Sequence, residues 1–133
     1  MALLIDTSVF IAIERSGGSP SDLLERVDDQ PVALSAITAS ELFHGVHRAE
    51  SALRRGRREA FIDTILATVS VVPFTLQTAR VHSRIWADLQ ARGETIGAHD
   101  LLIAATALEH DRTLLTGNLR HFSRVPDLRA VVW

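Results

Sequence analysis

Apolar residues run along this chain in two rhythms. Leu3, Leu4 and Ile5 form a run too short for a helix, while Val9, Phe10, Ile11, Ala12 and Ile13 restart with helical length. The same two rhythms predict strands over 2–5, 31–35, 70–74, 113–116 and 129–133. Helices are expected between them, over 7–15, from Pro20 to about 29, and over 38–49, 54–69, 75–92 and 100–111. A turn at 117–122 enters one further helical turn. In 38–49, Leu42, Val46 and Ala49 share a face, and 100–111 is apolar on more than one face. Gly93 stands where a left-handed C-cap would end the helix over 75–92. Strands separated by helices argue for an α/β fold, a parallel sheet covered on both faces. No linker, repeat or low-complexity segment breaks the pattern, so residues 1–133 are expected to form one domain.

Composition narrows the chemistry. A hydrophobic fraction of 47% in 133 residues supports a folded core and speaks against disorder. No apolar run reaches the roughly 18 residues of a membrane span, and the N-terminus lacks the basic start and apolar stretch of a signal peptide. A cytoplasmic location is therefore expected. Cysteine is absent, which removes disulfides, thiolate nucleophiles and Cys-based zinc sites. Lysine is absent too, so all 14 basic side chains are Arg, and a phosphate-loop lysine, a Schiff base and a Ser–Lys dyad are excluded. There is no Tyr. A net charge of −2 gives no global attraction to nucleic acid, so any such binding must rest on a local patch.

The polar residues of interest sit where strands end. Asp6 follows the first strand directly, Glu41 falls in the first turn of the helix after the second, and Asn118 lies two residues past the fourth. Asp100 opens the helix before that fourth strand, in front of the apolar run "LLIAATAL". In an open α/β sheet the carboxyl ends of the strands gather on one edge, where ligands bind. Three carboxylates and an amide are hard oxygen donors that suit Mg²⁺ or Mn²⁺. Each residue also has a structural explanation. Asp6 and Asp100 can be N-caps, Thr38 and Glu41 have capping-box spacing, and Asn118 in "TGN" fits ordinary turn chemistry. From the residues alone both explanations stay open.

Three blocks in order resemble a PIN domain of the kind found as the toxin ribonuclease in VapBC-type toxin–antitoxin pairs. They are "LLIDTSVFIAI", "LSAITASELFHGV" and "GETIGAHDLLIAATALEHDRTLLTGNLRHFSRVPDL", and together they cover essentially the whole chain. The resemblance implies a three-layer α/β/α PIN-like fold with a central parallel sheet of four to five strands. It implies a metal-dependent endoribonuclease in which Asp6, Glu41 and Asp100 hold Mg²⁺ or Mn²⁺, which activates water against an RNA phosphodiester. Asn118 takes the fourth catalytic position, where such domains more commonly carry an acid. Ser8 and Thr116 are expected to orient the carboxylates. A homodimer, a VapB-like antitoxin, an RNA substrate and no membrane association are implied as well. Two alternatives belong to other classes: a PIN fold that only binds protein, and a phospho-accepting receiver domain, which would need the lysine this chain lacks.

Other features are read more plainly. "RRGRR" at 54–58 is a solvated helix start, or else a contact for RNA phosphate or for acids on an antitoxin. Arg112 and Arg120 flank the proposed site as possible RNA contacts. His99 and His121 are candidates for approaching the site and the substrate. Trp86 and Trp133 are expected to serve in packing.

Overall fold

The computed structural model describes residues 1–133. Five strands form one sheet: β1 (Leu3–Ile5), β2 (Val32–Ser35), β3 (Ser70–Val72), β4 (Thr113–Thr116) and β5 (Ala130–Val132). Their order across the sheet is β3-β2-β1-β4-β5, and every pairing is parallel. Leu3 pairs with Val32 on one side and with Thr113 on the other, which centres β1. All five carboxyl ends therefore share one edge.

Seven helices connect the strands: α1 (Thr7–Arg15), α2 (Pro20–Val27), α3 (Ala36–His47), α4 (Ala52–Thr68), α5 (Leu76–Ala91), α6 (Ala98–Glu109) and the short α7 (Leu119–Phe122). They cover both faces because neighbouring strand residues point to opposite sides. Leu3 and Ile5 pack with Val9 and Phe10 of α1, Leu42 of α3 and Ile65 of α4. Leu4, between them, packs on the other face with Ile85 and Leu89 of α5 and Ile103 of α6. Three layers result. A central strand buried on both faces must be apolar throughout, as "LLI" is. No helix is long and apolar enough to cross a membrane.

Local signals explain the boundaries. Ser19 caps α2 in a capping box with Asp22, and Pro20 opens it. Gly93 adopts φ +67 after α5, with the Glu94 N–H donating to Leu89 O at 2.9 Å and the Gly93 N–H to Gln90 O at 3.1 Å, closing the helix as expected. Three helices, α3, α4 and α6, begin two residues earlier than the sequence suggests. Ser35 accepts the Thr38 N–H and starts α3 at Ala36; Ser51 accepts the Arg54 N–H and starts α4 at Ala52. The third strand stops at Val72 because Pro73 has no N–H to donate. Trp86 does not join the core: its neighbour Ile85 takes the core position, and the residue is 52% exposed with its ring against His82 at 5.7 Å. Trp133 is half-buried, with the Arg26 guanidinium 3.9 Å above its ring.

Candidate active site

Asp6 continues the backbone ladder of β1, its N–H donating to Leu115 O at 2.9 Å. It occupies the N-cap position of α1, yet its carboxylate makes no cap bond. Instead Oδ2 accepts the Ser8 hydroxyl at 2.6 Å and the Thr116 hydroxyl at 2.8 Å. Those hydroxyls are themselves anchored. The Gly117 N–H donates to Ser8 Oγ and the Asn118 N–H to Thr116 Oγ1, both at 2.9 Å. Two backbone amides thus polarise two hydroxyls, which fix one oxygen of a buried carboxylate. Oδ1 accepts no hydrogen bond.

Because α3 starts at Ala36, Glu41 lies in its second turn, not the first, and the Thr38–Glu41 capping box does not form. Thr38, fully buried, is instead the third residue of the helix that Ser35 caps. Glu41 Oε1 accepts the Thr7 hydroxyl at 2.8 Å, and Thr7 Oγ1 lies 3.0 Å from Thr38 Oγ1. Helix α1 therefore ties to α3 beside the first acid. Sequence reasoning missed Thr7, although a Thr directly after a strand-ending acid is a signal that could have found it. Glu41 Oε2 faces His99 Nδ1 at 3.6 Å.

Asp100 is the third residue of α6, which begins after Gly97 with no side-chain cap. Its Oδ2 lies 3.2 Å from His121 Nδ1, joining α6 to α7. Burial pushes the Asp100 carboxyl above its usual range, and the charge of Asp6 pushes the same way. The His121 charge and hydrogen bond pull it back, while Glu41 adds a further upward push. Three acids carried by α1, α3 and α6 thus meet at the carboxyl edge of the sheet, where Asp100 lies within the fields of Asp6 and Glu41.

Asn118 reaches the same rim through the turn after β4, but its amide is exposed and bonds to none of the three acids. Arg120 is exposed on α7. Arg112 does not flank the site. It precedes β4, and in a parallel sheet strand beginnings lie on the edge opposite the carboxyl ends; its guanidinium donates to Leu3 O at 3.0 Å.

No three Asp, Glu and His side chains close on one point tightly enough to enclose an ion. Magnesium needs no such enclosure, since it is commonly held through one or two carboxylates while retaining several waters. The donor set suits that mode. Each acid has one oxygen held by a hydroxyl or an imidazole; Asp6 Oδ1 and Asp100 Oδ1 accept no hydrogen bond, and Glu41 Oε2 has only the His99 imidazole beside it, at 3.6 Å. Burial is the main cause of the raised Asp100 carboxyl, and a divalent cation among the acids would offset both that burial and the added repulsion from Asp6 and Glu41.

The chain matches the PIN domain over residues 3–128. It is similar to the ribonuclease VapC of Rickettsia bellii, at 36% identity over 98% of this chain and 96% of the relative. It is also similar to the tRNA(fMet)-specific endonuclease VapC of Salmonella typhimurium, at 28% identity over 100% of this chain and 98% of the relative. Among solved structures, VapBC-1 from nontypeable Haemophilus influenzae superposes with a TM-score of 0.85 at 26% identity, covering 100% of this chain and 98% of the other. DNA-bound VapBC from Salmonella typhimurium superposes with a TM-score of 0.88 at 25% identity, with the same coverage. The receiver-domain alternative falls with these matches. Full-length similarity at this identity, on a sheet of the same topology, makes the chain a member of the PIN-domain family, among its VapC ribonucleases.

Proposed function

We propose that this chain is a divalent-metal-dependent endoribonuclease, acting as the toxin of a toxin–antitoxin pair in the cytoplasm, with residues 1–133 as one catalytic domain. The placing of three carboxylates, Asp6, Glu41 and Asp100, at one sheet edge, with Asp6 and Glu41 close enough for their charges to act on Asp100, supports the metal dependence. These three residues hold Mg²⁺ or Mn²⁺, which would supply a water of lowered pKa and charge stabilisation at phosphorus. Asp6 presents Oδ1, because Ser8 and Thr116 hold its other oxygen. Glu41 is held by Thr7, and Asp100 by His121. Asn118 supplies a neutral oxygen donor from the rim, and Arg120 a cation for substrate phosphate. The VapBC neighbours support a VapB-like antitoxin as partner. A homodimer is what the resemblance to such toxins implies.

The test is incubation of a cellular RNA pool with purified protein and Mn²⁺, beside Asp100→Asn prepared identically. Discrete cleavage by the wild type, abolished by a chelator and absent from the variant, is the expected outcome. Equal cleavage by both proteins would refute the assignment of the site.

A further inference from the structure

The arginine run at 54–58 has no role in the site described so far. Four residues apart on α4, Arg54 and Arg58 share a helix face. That face lines a groove of about 710 Å³ between α1, α3 and α4, whereas Arg55 and Arg57 lie outside it. Arg15, the last residue of α1, and Arg48, which follows α3, line it as well. Glu41 and His99 also line it, so the groove opens onto the carboxylate site.

Its charges are unevenly matched. Beyond Glu41, the lining carboxylates are Glu14 and Glu50, against four guanidinium groups. Arg58 is engaged, with Nε 3.7 Å from Glu14 Oε1 and a hydrogen bond of 2.7 Å to Gly45 O. Arg15, Arg48 and Arg54 form no ion pair. Arg15 and Arg48 sit at helix C-termini, where the dipole favours cations. Arg54 sits in the first turn of α4, where the dipole opposes it and no acid offsets it. Phe61 and the exposed Ile11 add apolar surface to the same groove.

We propose that single-stranded RNA runs along this groove, with successive phosphates on Arg48, Arg54 and Arg15 and bases against Phe61. The proposal rests on the ribonuclease function above: a strand whose scissile phosphate lies at Glu41 must continue past it, and the groove is where the positive charge continues. Arg48, Arg54 and Arg15 are positioning residues, not catalytic ones. A basic groove with an aromatic side chain is the usual form of sequence-tolerant single-strand binding.

Fluorescence anisotropy with a labelled mixed-sequence RNA of about 20 nucleotides tests it, long enough to fill one single-strand site. Mg²⁺ is present, and the Asp100→Asn background keeps the RNA intact. Adding Arg48→Gln and Arg54→Gln together should weaken binding about tenfold and reduce the slope of log affinity against log salt by about 1.4, roughly 0.7 per lost phosphate contact. Arg55→Gln with Arg57→Gln, on the same helix but outside the groove, should change neither. Equal losses from both pairs, or none from the groove pair, would overturn the proposal, and so would failure of the parent protein to bind. An unaffected groove pair beside metal-dependent cleavage by the wild type would overturn the groove assignment and leave the ribonuclease function standing. Loss of that cleavage function would overturn both.

Discussion

At the scale of single residues, the site depends on how Asp6 is held. Thr116→Val keeps the shape of the side chain but removes one hydroxyl from a buried carboxylate and leaves the Asn118 N–H without its partner. A hydrogen bond to a charged group contributes about 1.5–3 kcal/mol, so urea unfolding should show a loss of that order. Cleavage should fall about 10- to 100-fold, the usual effect of freeing a metal-ligating side chain. Asp100 carries the opposite effect. Its carboxyl retains a proton to higher pH in the folded protein than in the unfolded chain. The folded state therefore binds more protons in that window, and stability falls as pH rises through it. Asp100→Asn removes the penalty. The metal-free variant should be more stable than the wild type at neutral pH, with the advantage fading as pH falls toward about 4 and absent below it, where both states of the wild type are protonated. Denaturant midpoints across pH check the sign.

At the scale of elements, the alternation of strands and helices was legible because each strand is a short apolar run and each helix carries a 3.6-residue face. Helix starts were less legible. Ser35 ends a buried strand and caps a helix at once, and its strand reading concealed the cap. That two-residue shift placed Glu41 in the wrong turn and suggested a capping box that does not form. Arg112 was misplaced for a different reason: adjacency to the fourth strand in sequence does not say which edge of the sheet a residue occupies. Trp86 shows the limit of composition, since one step from Ile85 turns a side chain 100° away from the core. Two predictions follow from the caps. Ser35→Ala should destabilise by about 1 kcal/mol, as an N-cap loss does. Gly93→Ala, at φ +67 with open space around it, should lose about 1–2 kcal/mol from backbone strain alone. Thermal unfolding of each variant measures both.

At the scale of the whole molecule, the parallel sheet does the assembling. It sends β1, β2 and β4 to one edge, and the helices that start there carry Asp6, Glu41 and Asp100 into one field. The acids were visible in the sequence as residues at strand ends, but their convergence was not, since it depends on strand order and on hydroxyls such as Thr7 that look ordinary in isolation. A ligand that binds only the folded state stabilises it by about 2.7 kcal/mol at one hundred times its dissociation constant, so saturating Mn²⁺ should raise the unfolding temperature of the wild type. The most direct test of the shared cation site is a calorimetric titration of the metal-free protein with Mn²⁺, beside Asp6→Asn, Glu41→Gln and Asp100→Asn. Saturable binding to the wild type is expected, with an affinity at least about tenfold weaker in each variant, the scale at which even supporting partners of a metal site act. Equal affinity in all four proteins would contradict a shared site.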